Sequence, residues 1–63
     1  MKFYEGFKYS IDGSECIITK ISKSSVSKNM LATVRDEKTN KKETLSLKAL
    51  KDLIDENIAI VKN

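Results

Sequence analysis

The chain has 63 residues, of which 40% are hydrophobic and 33% are charged, and its net charge is +3 at pH 7. This composition excludes a disordered chain and predicts one folded domain over residues 1–63. A single cysteine and the absence of histidine exclude an internal disulfide and a conventional zinc site. No apolar run approaches a membrane span and no signal-type leader is visible, so we expect a cytoplasmic protein.

The first predicted element is a β-hairpin. Apolar and polar residues alternate over 7–11, which is the pattern of a half-buried strand. Asp12 and Gly13 follow, and Asp-Gly between two apolar runs is a strong hairpin signal because a type I′ turn needs positive φ at both central residues. The run 15–21 is rich in β-branched residues. We therefore expect it to pair back antiparallel on the first strand.

The register of this hairpin is open from the sequence. A two-residue loop would place Tyr9 opposite Cys16, whereas a loop that includes Ser14 would place Tyr9 opposite Ile17. The first choice uses the better turn, and the second gathers more apolar surface on one face. Adjacent Ile17 and Ile18 make the second strand apolar on both faces, which is typical of a strongly bent strand in a small closed barrel.

A meander of two further strands is predicted next. Residues 22–29 are polar and rich in lysine and serine, so they indicate an exposed loop or a distorted strand end. Residues 30–35 alternate as a third strand. Residues 36–42 contain no apolar side chain and predict a turn, after which a short fourth strand begins at Glu43.

The hydrophobic period changes at Ser46, and residues 46–57 repeat at helical spacing. Ser46 is a natural N-cap, and Asn57 tolerates the left-handed conformation that commonly ends a helix. Residues 58–61 form a last apolar run, which we predict to be a fifth strand. The apolar face of the predicted helix consists of Leu47, Leu50, Leu53 and Ile54.

This order of four strands, a helix and one strand resembles the small SH3-like barrels, in which a short helical turn separates the fourth and fifth strands. The resemblance spans nearly the whole chain and rests on element order. No peptide-binding aromatic set is implied, because the chain has no tryptophan and no ALYDY-like stretch. The expected fold class is therefore mainly β with one helix, a five-stranded SH3-like barrel of order β-β-β-β-α-β.

No catalytic, cofactor or metal site is expected. The chain has no histidine and no glycine-rich phosphate-binding motif. The helix carboxylates Asp52, Asp55 and Glu56 are interpreted as a solvated face balanced by lysines at i, i+4 spacing. Cys16 lies among apolar residues and is interpreted as a small buried hydrophobe rather than a reactive thiol. We therefore expect a protein that is not an enzyme.

The candidate binding residues are mostly cations. The segment from Lys20 to Lys42 contains seven basic and two acidic residues, while the rest of the chain is net negative. Tyr4 and Lys8 are predicted to point outward near the first strand, where an exposed aromatic residue is typical of a protein interface. The cations of the basic segment are Lys20, Lys23, Lys28, Arg35, Lys38, Lys41 and Lys42.

Two functions are compatible with these features. In its size, its lysine and asparagine content and its lack of a catalytic set, the chain resembles small proteins of phages and mobile elements of low-GC bacteria. That resemblance implies a binding module that docks on a host or defence protein and inhibits or modulates it. The alternative is a small barrel that binds nucleic acid through the lysines between Lys20 and Lys42. An edge strand that self-associates would give a homodimer in either case.

Overall fold

The computed structural model describes residues 2–26 and 28–62. Within them the chain is mainly β, with five strands and one helix, which confirms the predicted class and element order. The elements are β1 (Lys8–Ile11), β2 (Ser14–Lys23), β3 (Met30–Asp36), β4 (Lys42–Ser46), α1 (Leu47–Asp55) and β5 (Ala59–Val61).

All strand pairs are antiparallel, and the sheet order is β4-β3-β2-β1-β5. Sequential strands are neighbours except for β5, which returns to pair with β1. The sheet does not close, since no pairing joins β4 to β5 within the described residues. The closed barrel expected from the sequence is therefore not observed. The helix connects these two edge strands and packs against β3, β4 and β5, so it covers the core where strand pairing would otherwise close the sheet.

The β1–β2 hairpin adopts the two-residue loop. Tyr9 lies opposite Cys16 and Ile11 opposite Ser14. Asp12 and Gly13 have φ values of 51° and 80°, the left-handed conformation that a type I′ turn requires. The turn chemistry thus decided the register that the apolar pattern had left open.

An irregularity in β2 explains how Ile21 reaches the same face of the sheet as Ile18. The register against β3 shifts between Ile18 and Lys20, so Thr19 is an extra residue in the ladder. A bulge of this kind bends the strand and changes which face the following side chains occupy. Cys16 and Ile18 before the bulge and Ile21 after it consequently all contribute to the same core.

The turn between β3 and β4 is organised by Asp36. Its carboxylate accepts hydrogen bonds from the backbone N–H groups of Lys38 and Thr39, at 2.8 and 3.1 Å. These two hydrogen bonds, with that from Thr39 the larger cause, hold the pKa of Asp36 below its ordinary value. Asn40 completes the turn with a φ of 63°.

The helix begins and ends as its sequence predicts. The Ser46 hydroxyl accepts a hydrogen bond from the Ala49 N–H at 3.0 Å, and Asn57 follows the helix with a φ of 61°. Leu50 is fully buried, and the other apolar residues of its face are half-buried against the core. No helix among the described residues is long and apolar enough to cross a membrane.

The core lies between one face of the sheet and α1. Phe3 packs against it from the segment before β1. The rings of Phe3 and Tyr4 contact Phe7 edge-on, at centroid distances of 5.0 and 5.5 Å respectively. The buried residues are Phe7, Tyr9, Cys16, Ile18, Ala32, Val34, Leu50 and Ala59.

Candidate functional site

Several exposed apolar side chains lie at the edge of the sheet formed by β5. Ile58 and Ile60 are each 50% exposed and Val61 is 38% exposed, and all three lie within the four residues 58–61. Ile60 lies opposite Ser10 on the outer face of the sheet, and Val61 lies opposite Tyr9 on the core-facing side. This strand therefore presents apolar side chains on both faces at the margin of the molecule.

The backbone of β5 offers unpaired groups at the same place. The Lys62 N–H donates to the Lys8 carbonyl at 3.0 Å, so Lys62 faces β1 with its hydrogen-bonding groups. Such orientation alternates along an antiparallel strand. The backbone N–H and C=O groups of Ile60 consequently also point toward β1, whereas those of Ala59 and Val61 point away from the sheet. No strand of the described chain pairs with this side of β5. We call the outward backbone groups of Ala59 and Val61, together with the exposed side chains of Ile58, Ile60 and Val61, the β5 edge.

The opposite edge of the sheet is different in character. The outer strand β4 begins with Lys42 and Glu43, and both of these residues and Thr44 are exposed. Charged side chains of this kind are a common device that prevents an edge strand from pairing with other chains. The chain thus protects one edge of its sheet and leaves the other apolar and open.

A second surface is basic and lies on the outer face. Residues directly opposite one another form a row across four strands, in which Lys8 faces Ile17, Ile17 faces Arg35 and Arg35 faces Lys42. Lys8 also forms an ion pair with Glu37, with a distance of 3.7 Å between Nζ and Oε1. The row therefore places Arg35 and Lys42 side by side, while Lys8 is balanced by a carboxylate.

The next row adds a third cation to that surface. Lys20 lies opposite Thr33, which in turn lies opposite Thr44. Within these two rows on β2, β3 and β4 there is no carboxylate. The Nε atom of Arg35 is buried and has no hydrogen-bond partner within the described residues. We call Lys20, Arg35 and Lys42 the basic face.

The remaining candidates from the sequence lie elsewhere. Lys23 is opposite Met30 at the end of the β2–β3 pair, and Lys28 belongs to the loop that follows. Lys38 and Lys41 lie in the turn between β3 and β4, and Lys41 lines a groove on the core-facing side. Tyr4 is 48% exposed while its ring contacts Phe7. The structure therefore brings three of the predicted cations together and distributes the others around the sheet.

That groove, of about 370 Å³, lies between the two hairpin turns and α1, and it contains Tyr9 and Cys16 in its floor. Burial is the main cause that raises the pKa of Tyr9, and the charge of the Cys16 thiolate and a hydrogen bond with Cys16 add to it. Burial also raises the pKa of the Cys16 thiol. Both groups are therefore protonated near neutral pH, which disfavours a nucleophile here.

On the helix, Lys51 pairs with Asp55 at 2.9 Å, as expected for a solvated face. Among residues 2–26 and 28–62 no cluster of three potential metal ligands is present.

Sequence reasoning did not identify the β5 edge as a binding surface. The available signal was that residues 58–61 are apolar without alternation, although they follow a helix whose apolar face already covers the core. A final strand with apolar residues on both faces needs either a central position in the sheet or a partner at its edge. The sheet order gives β5 the edge position.

Comparisons with protein-family models, with curated proteins and with solved structures find no match to this chain.

Proposed function

We propose that this chain is a non-enzymatic binding module that docks on another protein through the β5 edge. The observation that carries the proposal is the contrast between the two edges of the sheet. The β4 edge carries the exposed charged residues Lys42 and Glu43, and the β5 edge combines outward backbone groups at Ala59 and Val61 with exposed Ile58 and Ile60.

An edge of this kind fits recognition by strand addition. In that mode an extended partner segment forms backbone hydrogen bonds with the free edge, and alternate side chains supply specificity. Ile60 would contact the partner on the outer face, and Val61 would contact it on the side of α1. A partner strand with apolar residues at alternate positions is therefore the expected ligand.

We further propose that the chain is an open member of the SH3-like barrels and belongs with the small proteins of phages and mobile elements. The order of elements, the bend in β2 and the helix between β4 and β5 support the first assignment. Size and composition support the second. Occlusion of a host or defence protein is the mode of action that such a protein would use, since it needs a docking surface and no catalytic group.

The test is affinity purification of the tagged chain from a low-GC bacterial lysate, with and without nuclease. We expect a stoichiometric protein partner that survives nuclease. Ile60→Lys should lose this partner, because it places a charge in the centre of the apolar edge. Thr44→Lys is the matched control, since it adds the same charge to the protected edge, and it should retain the partner. Recovery that is equal for both variants, or that disappears with nuclease, would exclude docking at β5.

A second candidate function is nucleic-acid binding on the basic face. The observation that favours it is the convergence of Lys20, Arg35 and Lys42 on two adjacent rows that contain no carboxylate. Cations on a sheet surface neutralise phosphates and release counterions. Four other cations lie away from this face and would contribute less: Lys23 at the end of β2, Lys28 in the following loop, and Lys38 and Lys41 in the turn between β3 and β4.

Fluorescence anisotropy with single-stranded and duplex DNA tests this candidate. Contact of all three cations with phosphates would give a slope of log K against log salt of about −2 to −3. Replacement of Lys20, Arg35 and Lys42 by glutamate should abolish binding, whereas the matched replacement of Lys23, Lys28 and Lys38 should have a smaller effect. An affinity that is insensitive to salt or equal in both triple variants would rule the candidate out.

A further inference from the structure

We propose that, when no partner is bound, the β5 edge pairs with the β5 edge of a second copy of this chain to form an antiparallel, two-fold dimer. The inference rests on the proposed function in that both use the same edge. Because one edge accepts one added strand, the dimer and the partner complex exclude each other.

The outward backbone groups restrict this dimer to a few registers, of which we favour the one centred on Ile60. With a two-fold axis through Ile60, Ala59 of each copy lies opposite Val61 of the other, and the outward N–H and C=O groups of both residues form hydrogen bonds. Ile60 then lies opposite its own symmetry mate in a pair without hydrogen bonds, where side chains approach most closely. The exposed apolar surface of the edge is thus complementary to itself.

Neighbouring registers are less favourable. An axis through Ala59 would bring Asn57 into the ladder, although its φ of 61° is not extended. An axis through Val61 would pair Ala59 with Asn63, which lies outside the described residues. The register centred on Ile60 uses only the residues of β5 in its hydrogen-bonded pairs, so we adopt it.

Charge supports a second copy as the occupant. The helix ends at Asp55 and Glu56 and has no basic residue in its last turn, so two acidic residues lie at the negative end of the helix dipole. In the proposed register Lys62 of one copy lies opposite Ile58 of the other, which is two residues after Glu56 in the chain. Asp55 already pairs with Lys51 of its own helix, so each copy would supply a cation near Glu56 of the other.

The size of the contact predicts a weak dimer. A three-residue strand and a few exposed side chains bury far less than the ~1,200 Å² of a stable protein complex. We therefore expect a dissociation constant on the order of 0.1–1 mM. Such a dimer would form at high concentration and would yield to a partner that covers more surface.

Sedimentation equilibrium from about 20 μM to about 2 mM, a range that spans the expected dissociation constant, tests the inference on the purified chain. The chain can be assembled by ligation at Cys16 from synthetic segments 1–15 and 16–63, which allows a single backbone N–H to be methylated. Methylation at Val61 blocks an outward N–H of β5 and should weaken the dimer at least tenfold, roughly the effect of losing the hydrogen bonds on both copies. Methylation at Thr44, on the other edge strand, is the control and should leave self-association unchanged.

Charge exchange tests the register. Lys62→Glu should weaken the dimer by roughly threefold at low salt, the size of an exposed ion pair, and Glu56→Lys in the same chain should restore it. A mass that stays monomeric throughout the concentration range would overturn the inference, as would a dimer weakened at Thr44 rather than Val61. Failure of the charge exchange to restore association would overturn the register centred on Ile60. None of these results depends on a partner, so the proposed function is tested separately.

Discussion

Tyr9 lies directly opposite Cys16 in the β1–β2 hairpin, and both side chains are buried. This pairing fixes which side chains of the first two strands reach the core. It depends on the turn at Asp12 and Gly13, where both residues have positive φ. The turn, the buried pair and the N-cap of the helix each lead to a prediction about stability.

Gly13 should be required for its backbone conformation rather than for space. A Cβ at this position would meet no atom within 4 Å, but the φ of 80° is unfavourable for an L-residue. Gly13→Ala should therefore lower the free energy of unfolding by about 1–2 kcal/mol. D-alanine at the same position accepts positive φ and should maintain or raise stability. Thermal unfolding of the two ligated proteins distinguishes these effects, and equal losses would show that the methyl group itself is at fault.

The folded protein should lose stability as the pH rises above about 9. Burial raises the pKa values of Tyr9 and Cys16 in the folded state, so the unfolded chain releases these protons first. Each group makes its full contribution to the free energy of unfolding below its pKa in the unfolded chain, about 8.5 for cysteine and 10 for tyrosine. Above that pH the contribution decreases. Urea unfolding from pH 7 to 10.5 measures this decrease. Tyr9→Phe and Cys16→Ala should flatten it, and an unchanged slope in both variants would contradict the assignment.

Ser46 should stabilise the helix through its hydroxyl. That group accepts the Ala49 N–H at 3.0 Å, so Ser46→Ala should cost about 1 kcal/mol. With a urea m-value of about 1 kcal/mol/M, the midpoint should decrease by about 1 M. Ser46→Asp keeps an acceptor and should retain most of the stability. Ser25→Ala, in the exposed loop after β2, is the control and should have no measurable effect.

The fold was predictable where the information is local. The turn at Asp12 and Gly13, the N-cap at Ser46 and the helix end at Asn57 each depend on a few adjacent residues, and each is observed as expected. The hairpin register was not predictable, because the turn and the apolar pattern favoured different choices. The extra residue Thr19 resolves that conflict, since it returns Ile21 to the core without changing the turn.

Whether the sheet closes, and which residues come together in the candidate site, depend on non-local packing. Whether α1 leaves room for β4 to meet β5 follows from how the helix sits on the sheet, which no local pattern specifies. The grouping of Lys20 with Arg35 and Lys42 likewise depends on the β2–β3 and β3–β4 registers. The β5 edge was hidden for a related reason, because Ile60 and Val61 belong to a strand whose position at the margin is set by its pairing with β1.

Amide hydrogen exchange measured by NMR, on the dilute chain alone and in complex with the captured partner, tests the proposed docking most directly. In the dilute chain, the outward amides of Ala59 and Val61 should exchange rapidly, because an exposed edge leaves them without a backbone acceptor. The partner should protect these two amides while the exchange of Thr44 on the opposite edge remains unchanged. A partner that leaves Ala59 and Val61 exchanging as rapidly in the complex as in the dilute chain would contradict docking at the β5 edge.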